Sequence, residues 1–117
     1  MAIRGRLRRT GFFGELKAAR YLKKQGYKIL ERNFRCKFGE VDIIAQKGEV
    51  VAFIEVKTRS SDLFGMPNEA VGRDRRQRYV NCARFYFYGR QTDCTVRFDI
   101  IEILGGKINH IENAFTA

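Results

Sequence analysis

The chain has few of the residues that do chemistry at neutral pH: one histidine and three cysteines among 117 residues. Cys36, Cys82 and Cys94 are odd in number and far apart along the chain, so they form neither a disulfide framework nor a zinc ligand set. His110 lies in a short terminal stretch with no candidate partner, which predicts a surface or hydrogen-bonded histidine. No run of about 18 apolar residues occurs, so no transmembrane helix and no membrane-spanning role are expected. The start, MAIRGRLRRTGFF, is basic and lacks the apolar stretch of a secretory signal. These absences together predict a reduced, cytoplasmic protein. Acids are also scarce: 13 face 23 lysines and arginines, for a formal charge of +10. That excess favours a polyanionic partner, either nucleic acid or an anionic membrane surface. Apolar residues make up 44% of the chain and ten are phenylalanines, enough for a core and against disorder. With no internal repeat, low-complexity segment or linker, residues 1–117 are expected to form one domain.

Residues 1–9 carry Arg4, Arg6, Arg8 and Arg9 and read as a basic, frayed arm or one that lies along phosphates. A helix is expected from about Thr10, as N-cap, to Gln25, with Gly26 just past its end. Leu16, Ala19 and Leu22 form its apolar stripe, and Glu15 points to the core side with Ala18. An acid placed there needs a partner, because an unpaired buried charge is expensive. Tyr27 to about Phe34 reads as a strand, and Arg35 to Phe38 as a basic connector. SSDLFGMPN, following Arg59, reads as a loop and a candidate flap beside a site. A second helix is expected from Asn68 to about Tyr88, with Val80, Ala83 and Phe87 on one face and four arginines in its first half. Thr95 to Leu104 alternates as a strand, Gly105-Gly106 marks a hairpin turn, and Lys107 to Ile111 reads as a short last strand. The order α-β-β-β-α-β-β predicts an α/β fold with a mixed sheet.

The stretch Gly39 to Thr58, GEVDIIAQKGEVVAFIEVKT, reads as two strands joined by a tight turn. Val50 to Ile54 and Val56 are apolar at both parities, the mark of a strand covered on both faces. Glu55 and Lys57, two apart, share one of those faces. If Lys47-Gly48 is the two-residue loop, Gln46 pairs with Glu49 and Asp42 with Phe53. Asp42 then lies diagonal to Glu55, at roughly 7–8 Å between backbones. A one-residue slip would send Asp42 to the other face.

Glu15, Asp42 and Glu55, with Lys57, are therefore the candidates for chemistry. Hard divalent cations such as Mg²⁺ or Mn²⁺ take carboxylate oxygens and keep several waters. A lysine on the same face would orient a water or steady charge on a phosphoryl oxygen. Glu40, one pleat from Asp42, is expected to be structural or to support the ligands from behind. Asp99 shares a face with Arg97, and a structural pair is expected there.

The Asp42 and Glu55-Val56-Lys57 pattern resembles the PD-(D/E)xK nuclease superfamily, with Glu15 in the place of its helical acid. More closely, the chain resembles the YraN family of endonuclease-like bacterial proteins. The match runs through Gly14-Glu15, Gly26-Tyr27, Asn33-Phe34-Arg35, Gly39 to Asp42, Glu55 to Arg59 and Arg97-Phe98-Asp99. The resemblance implies a restriction-endonuclease-like fold, a mixed four- to five-stranded sheet flanked by helices. It implies a Mg²⁺- or Mn²⁺-dependent endonuclease on DNA, structured or branched as for archaeal Holliday-junction resolvases, which are homodimers. Catalysis would rest on Glu15, Asp42, Glu55 and Lys57, with metal on the three acids. Arg59, Arg73, Arg75 and Arg76 are expected to hold phosphates. Val41 stands where the superfamily has proline, and Arg75 lies near the position of a family lysine, so it is carried over as a phosphate contact alone. The alternative is a nucleic-acid-binding protein on the same fold without turnover. A membrane-surface role rests on net charge only, since neither helix has a broad apolar face flanked by lysines alone.

Overall fold

A computed structural model describes residues 9–59, 72–90 and 92–116. The order is α1 (Arg9–Lys24), β1 (Lys28–Cys36), β2 (Gly39–Lys47), β3 (Val50–Arg59), α2 (Arg73–Phe87), β4 (Thr95–Leu104) and β5 (Lys107–Phe115). The five strands form one sheet in sequence order, antiparallel except for β3 and β4, which are parallel across the α2 crossover. The expected α-β-β-β-α-β-β fold with a mixed sheet is therefore present.

One helix covers each face. Ala18, Ala19 and Leu22 of α1 bury Ile43, Ala45, Ala52, Ile54, Ile101 and Ile103. On the other face Tyr79, Val80, Cys82, Ala83 and Tyr86 of α2 lie over Ile44, Val51, Phe53, Phe98 and Ile100. That is why β3 is apolar at both parities. Glu15 is buried on α1, as its helical position predicts. Leu16 is only half-buried, because Gly14 takes the close approach to the sheet instead. A Cβ on Gly14 would run into the Thr58 hydroxyl on β3. Thr58 is β-branched and stiff about χ1, so it yields poorly. Gly14→Ala should therefore lose about 1 kcal/mol or more in thermal unfolding, despite the better helix propensity of alanine. Adding Thr58→Ala should recover part of the loss in a double-mutant cycle.

Helix ends and turns differ in detail from the sequence expectations. Thr10 lies inside α1, which starts at Arg9, so it is not the N-cap. At the other end Gly26 has φ 97°, the Tyr27 N–H donates to the Leu22 carbonyl at 2.9 Å and the Gly26 N–H to Lys23 at 3.0 Å. This is a Schellman closure, and only the Gly26 backbone makes it cheap. β1 runs on to Cys36, reducing the expected connector to a Lys37-Phe38 turn. Within the described residues α2 starts at Arg73 with Gly72 as N-cap; Asn68, the 60–68 loop and the arm of residues 1–8 lie outside them. Tyr79 and Tyr86 belong to the buried face of α2, while Phe87 is half-buried. β5 is nine residues long, not five, and reaches Phe115, which stacks on Phe98.

The three cysteines are free, but Cys36 and Cys82 are neighbours in space, with their sulfurs 3.4 Å apart. Burial and the adjacent Cys36 push the Cys82 thiol up to about 12, so it stays protonated at neutral pH.

Candidate active site

The β2–β3 turn is Gly48-Glu49, not Lys47-Gly48: Lys47 pairs with Val50 and Ile43 with Ile54. Gly48 alone has positive φ, 60°, which places glycine at the first loop position, as a type II′ turn requires. The register is thus two residues from the expected one. A shift of two preserves the face, and continuing it brings Asp42 opposite Glu55 instead of diagonal to it. The backbone ladder ends at Ile43 and Ile54. Just beyond, an Asp42 carboxylate oxygen accepts the Val56 N–H at 2.8 Å, so a side chain takes over where the ladder stops.

A cleft opens at that end of the sheet beneath α2. Gly39, Glu40, Asp42 and Glu55 line one side, and Arg75, Arg78 and Tyr79 the other. The Glu55 side chain is buried, and Arg75 meets its Oε2 at 3.0 Å. Its Oε1 has no hydrogen-bond partner among the described residues. Burial pushes the Glu55 carboxyl above its ordinary value; Arg75 and Lys57 pull it back, and Asp42 pushes it up again. Burial also holds the Tyr79 hydroxyl protonated, and the Asp42 and Glu55 carboxylates reinforce this. A buried acid with a raised pKa, a second acid beside it and two arginines in one cleft are the usual signature of a reactive site.

Of the other candidates, Glu40 lines this cleft and Lys57 does not. Lys57 follows Glu55 on the same face of β3 and pairs in register with Glu102 of β4. Arg59, next on that face, lies 3.6 Å from the buried Glu102 carboxylate. Glu40 is held by Arg35 at 3.2 Å. Arg73 and Arg76 are exposed on α2 but do not line the cleft. Glu15 belongs to α1, on the opposite face of the sheet, and does not line it either. Among the described residues no three His, Cys, Asp or Glu side chains converge in a metal-binding group. The donor set still suits a hard cation: two carboxylates in one cleft, one of them with an unbonded oxygen, leave room for waters to complete the shell. Sequence reasoning missed Arg78, Tyr79 and Glu102. Glu102 was findable, because FDIIEIL sets an acid among apolar residues at both parities, as FIEVKT does.

The second polar centre lies on the α1 face. Asp99 is fully buried, and both its oxygens are met by Arg97, at 2.8 Å each. His110 Nε2 is 2.8 Å from Oδ2, and the Asn113 N–H donates to Oδ1 at 2.9 Å. The expected Asp99–Arg97 pair is present, and His110 is the hydrogen-bonded alternative of its expectation, with two partners that the sequence did not point to. In a neutral imidazole, Nε2–H donates to Asp99 and Nδ1 accepts from the Tyr21 hydroxyl at 3.1 Å. Burial would raise the Asp99 carboxyl, but His110, Arg97 and the Asn113 amide outweigh it and hold the group below its ordinary value.

Among the described residues no helix is long and apolar enough to cross a membrane. Residues 14–103 match the model of an uncharacterised protein family, UPF0102. The chain is 45% identical over 112 residues to a UPF0102 protein of Syntrophus aciditrophicus, covering 92% of this chain and 88% of that protein. It is 48% identical over 116 residues to one from Caldicellulosiruptor saccharolyticus, covering 92% and 98%. A third, from Thermodesulfovibrio yellowstonii, is 49% identical over 102 residues, covering 87% and 91%. The matched span runs from the glycine that seats α1 on β3, through Asp42 and Glu55, to Ile103 near the end of the parallel pair, and on these grounds the chain belongs to the UPF0102 family.

Proposed function

We propose that this chain is a metal-dependent nuclease of the PD-(D/E)xK type, acting on phosphodiester bonds of DNA in the cytoplasm. The observation that carries this reading is the meeting of Asp42 and Glu55 in one cleft under Arg75 and Arg78. Asp42 and Glu55 would hold Mg²⁺ or Mn²⁺, which supplies Lewis-acid stabilisation of phosphoryl charge and a more acidic water. Lys57 orients the attacking water or steadies charge growing on the scissile phosphate. Arg75 and Arg78 hold the phosphate backbone, Arg75 by a fork that can also grip an anion bidentately. Arg73 and Arg76 extend the basic ground along which a strand would lie, Arg59 would reach phosphate from its place against Glu102, and Glu40, held by Arg35, lines the cleft beside Asp42. Glu15 enters the proposal as the third acid. Its neighbour Gly14 abuts Thr58, so α1 passes β3 at the same end as Lys57. A resolvase-like role on branched DNA would need two such clefts in a two-fold homodimer.

One observation favours a second reading, a nucleic-acid binder without turnover. The Arg75 guanidinium already neutralises Glu55, as a cation would. The two readings part in one assay. Purified protein with Mg²⁺ or Mn²⁺ should cut at least one of linear, flapped and four-way DNA, and EDTA should stop it. Binding that is salt-sensitive but indifferent to EDTA, with all three DNAs left intact, would favour the binder and sink the nuclease.

A further inference from the structure

Beside the cleft, three aromatic side chains stand open to solvent without forming part of either core. Phe38 is 37% exposed, Phe85 46% and Tyr88 87%. They line one shallow recess with Lys37, Asn81 and Arg84. Phe38 and Phe85 meet edge to face, their ring centres 6.3 Å apart, and Lys37 Nζ lies 5.3 Å from the centre of the Phe38 ring. Among the described residues no acid lines the recess.

Its position relative to the cleft follows from helical spacing. Arg78, Asn81, Phe85 and Tyr88 succeed one another at intervals of three or four residues, so they form one stripe along α2 and its C-terminal turn. Arg75, which meets Glu55, precedes that stripe by one further turn. From Arg75 to Tyr88 the stripe runs about 20 Å at 1.5 Å per residue. On the sheet side Phe38 is followed at once by Gly39, which lines the cleft and approaches the Arg78 side chain. A strand whose phosphate lay on Arg75 and Arg78 would carry its neighbouring bases across Phe38, Phe85 and Tyr88.

We propose that this recess is a stacking platform for unpaired bases, so that the substrate of the adjoining cleft is a nucleic acid with a single-stranded segment beside the bond to be cut. The inference rests on the nuclease reading of the cleft and adds the substrate class to it. Exposed rings interleaved with cations are what sequence-tolerant single-strand binding uses: rings take the base faces, and cations take the backbone. Paired bases inside a duplex hide those faces. A second copy of this chain is the poorer occupant. A two-fold contact through the recess would set Lys37 and Arg84 near their own copies, on chains that each carry a formal charge of +10.

The test is equilibrium binding in EDTA to a fluorescent oligothymidine and to a duplex, each across a salt series. Tyr88→Ala and Phe85→Ala should each weaken oligothymidine binding by about 5- to 100-fold, as loss of one stacked base does. Duplex affinity should stay within about twofold, and the dependence of log K on log salt should keep its slope, since no phosphate contact is lost. Tyr88→Phe should restore single-strand binding. Tyr88 is so exposed that its replacement leaves the fold intact, and Phe13→Ala, an exposed ring on α1, serves as the control. Equal losses on both ligands, no loss on either, or sedimentation showing that the variants only split a dimer would overturn the platform. Selective single-strand binding by a protein that never cuts DNA would retain the platform and reject the nuclease. Cleavage unaffected by Tyr88→Ala and Phe85→Ala on single-stranded and duplex substrates alike would do the reverse.

Discussion

Lys57→Ala will reduce DNA cleavage by about 10²- to 10³-fold or more while leaving DNA affinity within a few-fold of the parent chain. The magnitude is that of removing one preorganised group from developing charge, an effect confined to the transition state. Lys57 sits on β3 two residues after Glu55, on the α2 face, in the part of the strand held by parallel pairing to β4. Its position is therefore set by the sheet and not by a loop. Binding survives because many cations share the phosphate contact, and losing one of 23 changes little. Glu55→Gln and Asp42→Asn should abolish cleavage too, for a different reason. Each keeps the shape and removes a charge that a divalent cation needs. Asp42→Asn has a further use, since an amide oxygen can still accept the Val56 N–H, so the β2–β3 junction stays closed. An Asp42→Asn chain that melts normally but neither binds Mn²⁺ nor cuts would separate chemistry from folding. If Lys57→Ala cuts at the parent rate, Lys57 has no part in the reaction.

The second large effect concerns stability. Asp99→Ala should cost about 3–5 kcal/mol, the usual loss when one partner of a buried ion pair is removed. For a chain of this length that lowers the melting temperature by about 10–25 °C. Asp99 receives two bonds from Arg97, one from His110 and one from the Asn113 amide, and its removal strands all of them in a buried setting. The same group governs acid stability. Its pKa is lowered on folding from an ordinary 3.8, so the folded state binds this proton more weakly than the unfolded state. The stabilisation is fully present above the unfolded value and is lost as pH falls through the lower folded one. Urea midpoints measured downward from pH 5 should therefore drop below about pH 4. In Asp99→Asn that part of the acid drop should be missing. Cleavage, if limited by the distant cleft, should follow stability and not the ionisation of Asp99.

The sequence exposed strand content most clearly where the chain had to be covered on both faces. Val50 to Val56 and Phe98 to Ile103 are apolar at both parities because α1 and α2 lie on opposite sides of them. The acids Glu55 and Asp99 stand out within those runs for the same reason; Glu102 carries the same signal and was missed. Register was harder to read. One glycine, Gly48, suits either the second position of one turn type or the first of another, and the choice moved the pairing by two residues. Parity absorbed the error, so Asp42 still faces Glu55. The His110 partnership was open to the same arithmetic, since a Gly105-Gly106 turn places His110 opposite Ile101, two residues from Asp99. Reading β5 as ending at Ile111 left out the Asn113 amide, the further partner of Asp99. Other features depend on packing between distant segments and leave no local trace. The approach of Cys36 to Cys82, the Arg78 and Tyr79 wall of the cleft and the recess at Phe85 all require knowing how α2 lies on the sheet.

The central claim is that Asp42 and Glu55 form one cation site. The most direct measurement is a crystal of the protein soaked in Mn²⁺, examined for anomalous density. The account predicts a peak between the Asp42 and Glu55 carboxylates, lost in Asp42→Asn. A soaked crystal with no peak there, and with Arg75 still seated on Glu55, would contradict it.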